Sequence, residues 1–166
     1  MRPRDLVLAG VVLILASSAA PLRGQNSDIS KTRSLAEAQH EIVMILIKKK
    51  DFDRAAEEAN KIFQMKWPDD QEPILLKELL DFSTQFLRNS QPALAIRLLE
   101  ANIGMFKFAQ SKVAIWKEKG YVLEKMGQPD KALDCFREAQ RLETLQPAAP
   151  PKKVKKADTT GDRRDC

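Results

Sequence analysis

Few side chains in this sequence are of the types that bind metals or act as nucleophiles. His40 is the single histidine, and Cys135 and Cys166 are the two cysteines. A protein metal site takes three or four ligands, and neither cysteine stands near His40 in the sequence. We therefore predict no metal site and no cofactor, and we interpret His40 as an ordinary histidine of a surface or groove.

The carboxylates predict no acid–base pair. Glu57 and Glu58 are adjacent in the sequence, and neighbouring residues of a helix do not face each other. The sequence also lacks a G-x-S-x-G motif, a glycine-rich phosphate loop and a known cysteine–histidine signature. We predict that the protein is not an enzyme and has no catalytic residues.

The cysteines leave two interpretations open. Cys135 lies next to the apolar stripe of the sixth predicted helix and is predicted to be a small core or edge residue. Cys166 is the last residue of the sequence. In an oxidising compartment the two could form a disulfide within one chain or between chains. The alternative is that they do not pair.

The positive charge of the chain lies at its two ends. The formal net charge is +5, but residues 25–146 contain 19 basic and 19 acidic residues. A neutral domain of mixed sign lacks the basic patch typical of nucleic-acid-binding folds. We predict no nucleic-acid partner.

The first 24 residues have the organisation of a secretory signal peptide. Arg2 and Arg4 precede an apolar run over residues 6–16, and small residues follow. The run is shorter than the roughly 20 residues of a membrane span. Cleavage is predicted after Ala19, Ala20 or Gly24, and an uncleaved anchor is the alternative. We expect an exported protein that resides in a periplasm or in the extracellular space, and we favour a bacterial source.

Residues 25–146 are predicted to form one all-α domain. Apolar residues recur at spacings of three and four, and the region is rich in strong helix formers. Helices are predicted near 32–49, 51–66, 73–89, 92–107, 110–126 and 129–143. Gly127 can adopt the left-handed conformation that closes a helix, and Pro129 suits the first turn of the next one.

Residues 147–166 form the third predicted segment. They lack helical periodicity and large apolar residues, so we predict a disordered basic tail rich in proline and lysine. Its lysines at 152–156 could contact an anionic envelope surface. The alternative is a tail that only adds solubility.

The helix pairs repeat along the domain. Residues 91–95 align with residues 128–132, which lie 37 positions later, and residues 50–55 align with residues 90–95. Residues 116–143 carry an aromatic and then a small residue on one helix, and alanine, a large apolar residue and alanine on the next. By this pattern the chain resembles the tetratricopeptide repeat family, although Lys119 and Leu123 stand where the family usually has leucine and tyrosine.

The resemblance implies a right-handed solenoid of about three tetratricopeptide-like helical hairpins, with six helices. It also implies the residues that pack the helices of each pair together. These repeat-packing residues are Ala55, Ala59, Ala95, Leu99, Trp116, Gly120, Ala132, Phe136 and Ala139.

In this family the first helices of the pairs line a concave groove that holds a peptide or a partner helix. The groove positions implied here are Glu37, His40, Met44, Ile47, Lys48, Lys77, Leu80, Thr84, Leu87, Arg88, Lys117, Tyr121, Glu124 and Lys125.

These observations predict an exported scaffold that binds a protein or peptide partner through that groove. The alternative is a structural or assembly subunit of a cell-envelope complex, anchored by an uncapped last helix and the basic tail. Prolines follow the sixth helix in place of a capping helix. We therefore also expect self-association or a partner at that end.

Overall fold

The computed structural model describes residues 23–145, with side chains described from residue 28. Within this range the chain is an all-α array of six α-helices and contains no strand, as expected of a tetratricopeptide-like helical repeat. The predicted tail and nearly all of the predicted signal peptide lie outside the described residues. The helices are α1 (Arg23–Lys48), α2 (Phe52–Gln64), α3 (Glu72–Arg88), α4 (Pro92–Asn102), α5 (Ala109–Lys125) and α6 (Pro129–Thr144).

The three turns within the helix pairs have the same backbone conformation. Lys50, Ser90 and Gly127 each have a positive φ, of 61°, 58° and 71°. The next residue in each turn donates its N–H to a carbonyl five positions earlier, at distances of 2.8–3.0 Å. This is the hydrogen bond of a Schellman motif, which satisfies a carbonyl at the helix end. The left-handed conformation predicted for Gly127 is therefore confirmed, and the other two pairs share it without a glycine.

The second helices of the last two pairs begin on proline. Pro92 starts α4 and Pro129 starts α6. A proline fits there because the first N–H groups of a helix have no intrahelical acceptor and the proline φ already suits a helix. The preceding residues, Gln91 and Gln128, have closely similar backbone angles, so the sequence repeat corresponds to a structural repeat.

Two predicted boundaries were wrong. Helix α1 begins at Arg23 rather than near residue 32, so the predicted boundary after residue 24 falls in its first turn. Helix α4 ends at Asn102 rather than near 107, and a 3-10 turn follows over Ile103–Met105. Gly104 disfavours continuation of the helix. Phe106, which is 1% exposed, anchors the linker in the core with an extended backbone.

The change in period from 40 to 37 residues has a definite location. Helices α3 and α5 both have 17 residues, and the turns before α2, α4 and α6 are equivalent. The extra three residues therefore lie between the start of α2 and the start of α3. This segment contains the 3-10 turn Asp69–Gln71 and the half-buried Trp67, whose indole Nε1 donates to the Ile62 carbonyl at 2.8 Å.

The main hydrophobic core runs through the first two helix pairs and into α5. Its fully buried large side chains include Phe82, Phe86, Leu98 and Leu99. A second, smaller cluster joins α5 to α6 through Leu123, Ala132 and Cys135. All three buried residues of α6 have small side chains, so α6, unlike α2 and α4, buries no large apolar side chain.

Candidate functional site

Helices α1, α3 and α5, the first helices of the three pairs, lie side by side. His40 on α1 stacks on the ring of Phe82 with the ring centroids 5.2 Å apart, and its Nδ1 pairs with the Glu78 carboxylate. Between α3 and α5, the Ser83 hydroxyl donates to Glu118 Oε1 at 2.9 Å. These contacts create one continuous face, which we call the groove face.

Most of the predicted groove positions are accessible on this face. Tyr121 is 55% exposed, and Met44, Leu80, Thr84 and Leu87 are half-buried, so the middle of the face offers partly accessible apolar surface. His40 and Lys117 are also half-buried. The remaining charged positions are exposed, namely Glu37, Lys48, Lys77, Arg88, Glu124 and Lys125.

Ile47 does not belong to the groove face. It is only 5% exposed and packs in the main core with Val43 and Leu46. The prediction placed it one residue beyond a packed position. However, Ile47 and the preceding residue, Leu46, are both buried, because the α1–α2 turn begins just afterwards. A partner on the groove face cannot reach this side chain.

Three cations occupy equivalent positions along one edge of the groove face. Lys48, Arg88 and Lys125 stand in the last turns of α1, α3 and α5, and their spacings of 40 and 37 residues match the repeat. None of the three has an ion pair within the described part of the chain. We call this set the cation row. Lys117, by contrast, is paired with Glu143 at 2.6 Å.

The opposite edge of the groove face is acidic near α1. A cleft of about 340 Å³ opens there between α1, α3 and Trp67. Its charged lining comprises three carboxylates and one cation, and its apolar side includes two residues of α3, namely Glu37, Glu41, Glu78 and Arg33, and Ile74 and Leu75. The sequence did not predict the contacts of Glu78 and Phe82 with His40, because these contacts depend on how α1 and α3 pack against each other.

The predicted repeat-packing residues lie between the helices of each pair. Ala55, Ala59, Ala95, Leu99 and Ala139 are 0% exposed, and Ala132 is 3% exposed. Gly120 lies directly against the ring of Phe136. Trp116 and Phe136 are only half-buried, because among residues 23–145 no further helix pair packs on α5 and α6.

Lys119, the departure from the family pattern, bridges two helix pairs. Its ammonium pairs with Glu100 on α4 at 2.7 Å and lies 4.9 Å from the ring centroid of Trp116. The long side chain therefore keeps its charge satisfied while it is only 17% exposed. A broad cleft of about 670 Å³ opens beside it between α4 and α6.

The described residues form no group that resembles a catalytic or metal site. No cluster of three or more histidine, cysteine or acidic side chains suited to a metal is found between residues 28 and 145. Cys135 is 4% exposed, and its burial raises the pKa of the thiol. Cys166 lies outside the described residues. Of the helices described, none combines the length and the apolar character that crossing a membrane requires.

A family comparison agrees with the geometry of the third helix pair. The tetratricopeptide repeat model matches residues 113–144, which cover most of α5 and all of α6. The resemblance drawn from residues 116–143 is thus confirmed for this pair. Tetratricopeptide repeats are typically non-catalytic modules of protein interaction, and this match indicates a protein-interaction scaffold. No curated protein and no solved structure matches the chain.

Proposed function

We propose that this protein is an exported scaffold that binds an extended acidic segment of a partner protein across its groove face. The observation that carries the proposal is the cation row. One exposed cation stands at the same position of each first helix, beside the partly accessible apolar surface of Met44, Leu80 and Tyr121. Carboxylates of a partner would meet these cations, and its apolar side chains would cover the middle of the face.

The spacing of the cations specifies the ligand further. Packed helices lie about 8–10 Å apart, and an extended chain in the polyproline II conformation has three residues per turn and advances about 3.1 Å per residue. Acidic residues about three positions apart would therefore meet successive cations. A cation in the last turn also stabilises the helix itself, through its interaction with the helix dipole. The test must therefore separate a loss of affinity from a loss of protein stability.

The test uses two synthetic peptides of equal composition, one with glutamates at every third position and one with its glutamates contiguous. Binding to the full chain is measured by fluorescence anisotropy. We expect the spaced peptide to bind more tightly, and the double variant Arg88→Glu, Lys125→Glu to weaken its binding by at least tenfold. The affinity should also fall as salt rises, because the contacts are charged.

The matched control for this experiment is Lys131→Glu, which reverses an exposed charge on α6 away from the groove face. It should leave the affinity for the spaced peptide unchanged. Melting temperatures measured for all variants separate a loss of the helix dipole interaction from a loss of binding. Unchanged binding in the double variant, or an equal loss in the control, would refute the proposed binding mode.

Export is the second part of the proposal, and the first 24 residues support it. A basic start, a short apolar run and small residues form the pattern that a signal peptidase reads. Expression of the full chain in a bacterium, followed by fractionation and amino-terminal sequencing, tests this part. We expect a mature chain that begins between residues 20 and 25. An intact chain retained in the cytoplasm would refute export.

A second candidate function is an assembly role within an envelope complex. The exposure of Leu133 (47%) on α6 and of Leu145 (67%) directly after it favours this role, because both could pack on a neighbouring subunit. The predicted basic tail would add contact with an anionic surface. Deletion of residues 147–166 distinguishes the two functions: loss of envelope association with peptide binding intact favours the assembly role.

A further inference from the structure

One face of α1 is apolar and exposed although it points away from the groove face. Leu35, Ala38, Ile42 and Ile45 follow the spacing i, i+3, i+7, i+10, which aligns them along one side of a helix. The three large side chains are 55%, 44% and 49% exposed. We call this set the end face. Its exposure differs from that of the core side of α1, where Val43 is fully buried.

The fold itself shows what kind of element covers such a face. The end-face positions correspond by the repeat register to Leu75, Glu78, Phe82 and Gln85 on α3. On α5 they correspond to Lys112, Ile115, Lys119 and Val122. Phe82, Ile115 and Val122 are 0% exposed and Leu75 is 4% exposed. On α5 the covering element is the second helix of the preceding pair, since Lys119 pairs with Glu100 on α4 at 2.7 Å.

The charges around the end face argue against a second copy of the chain as its occupant. Exposed Lys31 stands on the same side of α1 before the apolar stripe, with the exposed Asp28 one turn earlier. Exposed Lys49 follows the last residue of α1 on that side, beyond the other end of the stripe. Symmetric antiparallel pairing of two α1 helices would place Lys31 opposite Lys49, and parallel pairing would place each lysine opposite itself. Like charges placed opposite one another disfavour such pairing.

The last helix of a second copy also fits poorly. On α4 the side chains that face α5 include Ile96 and Glu100. The α6 positions equivalent to Ile96, Glu100 and Ile103 are Leu133, Arg137 and Gln140, and all three are exposed. Only Leu133 is apolar, and Arg137 is paired with Asp134 of its own helix at 3.2 Å. Stacking of copies head to tail would therefore bury the polar side chains of Arg137 and Gln140 on an apolar face.

We infer that the end face binds an amphipathic helix of a different protein, with an apolar stripe in its middle and acidic residues at both ends. Such a helix would lie on α1 as α4 lies on α5. Its acidic residues would meet Lys31 and Lys49, which are about 27 Å apart at 1.5 Å per residue. The partner helix therefore needs about 18 residues. This site is separate from the groove face, so either can fail without the other.

The test uses three designed helical peptides of this length with the same apolar stripe. One carries glutamates at both ends, one carries lysines there and one has a scrambled stripe. Binding to the full chain is measured by fluorescence anisotropy and sedimentation velocity. We expect only the glutamate peptide to bind, and the double charge reversal Lys31→Glu, Lys49→Glu to transfer the preference to the lysine peptide.

Substitutions within the stripe complete the test. The double variant Ile42→Gln, Ile45→Gln should weaken binding of the glutamate peptide by at least tenfold. Ile74→Gln is the matched control because it removes an isoleucine of similar exposure, 47%, from α3. It should leave the affinity unchanged. Circular dichroism confirms that the variants keep their helices.

Four results would overturn the inference. The first two are equal binding of the glutamate and lysine peptides and unchanged binding by the isoleucine variants. The third is a wild-type dimer that those variants convert to a monomer, which would assign the end face to a second copy. The fourth is peptide binding seen only after removal of residues 1–22, which would assign the face to the chain's own amino-terminal segment.

Discussion

At the residue scale, the contact between Gly120 and Phe136 decides how closely α5 and α6 approach. A Cβ placed on Gly120 would lie 2.7 Å from Cε1 and 2.8 Å from Cζ of the Phe136 ring. The ring also makes an edge contact with Tyr121, with centroids 5.2 Å apart. The ring is half-buried, so it can move only by giving up this packing.

Gly120→Ala should consequently destabilise the wild-type chain by about 1–2 kcal/mol, since overpacking outweighs the gain in helix propensity. In a Phe136→Ala background the clash is absent, and the same substitution should stabilise the chain by about 1 kcal/mol. Urea denaturation of the four chains measures both effects. A substitution effect of the same sign in both backgrounds would contradict the proposed contact.

The left-handed residues of the turns give a second prediction at this scale. Lys50 has a φ of 61°, a conformation that costs a residue with a Cβ about 1–2 kcal/mol. Lys50→Gly should raise the free energy of unfolding by about 1 kcal/mol. Lys49→Gly is a matched control, because it removes the same charge from a neighbour that lacks a positive φ, and it should lower stability. Thermal and urea unfolding report both values, and stabilisation by both substitutions would contradict the turn geometry.

At the scale of the elements, one buried carboxylate ties the start of α3 to the start of α5. Glu72 is 5% exposed and accepts the backbone N–H groups of Lys107 and Phe108 at 2.8 and 3.0 Å. These amides lie in the linker that precedes α5. The carboxylate thereby replaces hydrogen bonds that the linker backbone would otherwise make with water.

Glu72→Ala should lower the free energy of unfolding by about 1–3 kcal/mol, because it leaves these N–H groups without their acceptor. Glu72→Gln retains one acceptor oxygen and should cost less. Hydrogen exchange at Lys107 and Phe108 should accelerate in the alanine variant more than exchange in α2. Equal acceleration throughout the chain would indicate general destabilisation instead of a local tie.

The sequence sufficed to predict the helix pairs and much of their packing, but not the chemistry of their outer faces. Gly127, Pro92 and Pro129 punctuate the chain by local backbone preferences, so those boundaries could be predicted. Leu35, Ile42 and Val43 all fit the helical spacing of apolar residues in α1, but of these three only Val43 is buried. Periodicity identifies an apolar side of a helix but does not reveal whether a neighbouring helix covers it.

The same limit applies to the groove face. The family register placed cations at positions that the structure shows to be exposed, because surface residues of equivalent helices recur with the repeat. It failed at Ile47, where the turn that follows α1 buries one more residue. The pairing of His40 with Glu78 depends on how α1 and α3 lie against each other, and no local pattern encodes that arrangement.

At the scale of the whole molecule, stability should decrease from the middle of the array toward α6. The main core holds Phe82, Phe86 and Leu99 at its centre, whereas α6 buries only small side chains and packs the half-buried Phe136 against α5. Arrays of repeats unfold from weakly held ends because each unit contacts only its neighbours.

This gradient predicts that the Cys135 thiol becomes reactive before the molecule unfolds. Cys166→Ser leaves Cys135 as the only thiol of the chain. In this variant the rate at which a thiol reagent labels Cys135 should depend only weakly on urea concentration, since local opening exposes little surface. In a chain carrying Ser83→Cys with both native cysteines replaced by serine, labelling at position 83 should require global unfolding and be at least tenfold slower. Stopped-flow labelling across urea concentrations measures both rates, and coincident rates would indicate a single cooperative unit.

The polar outer side of α6 and the apolar end face of α1 give the array one preferred direction for modular extension. If a designed helix pair were fused ahead of α1, its second helix could pack on the end face without further changes to α1. A pair fused after α6 would meet Arg137 and Gln140, which would have to be replaced by apolar residues first. Attempts to lengthen this scaffold should therefore add units at its amino-terminal side.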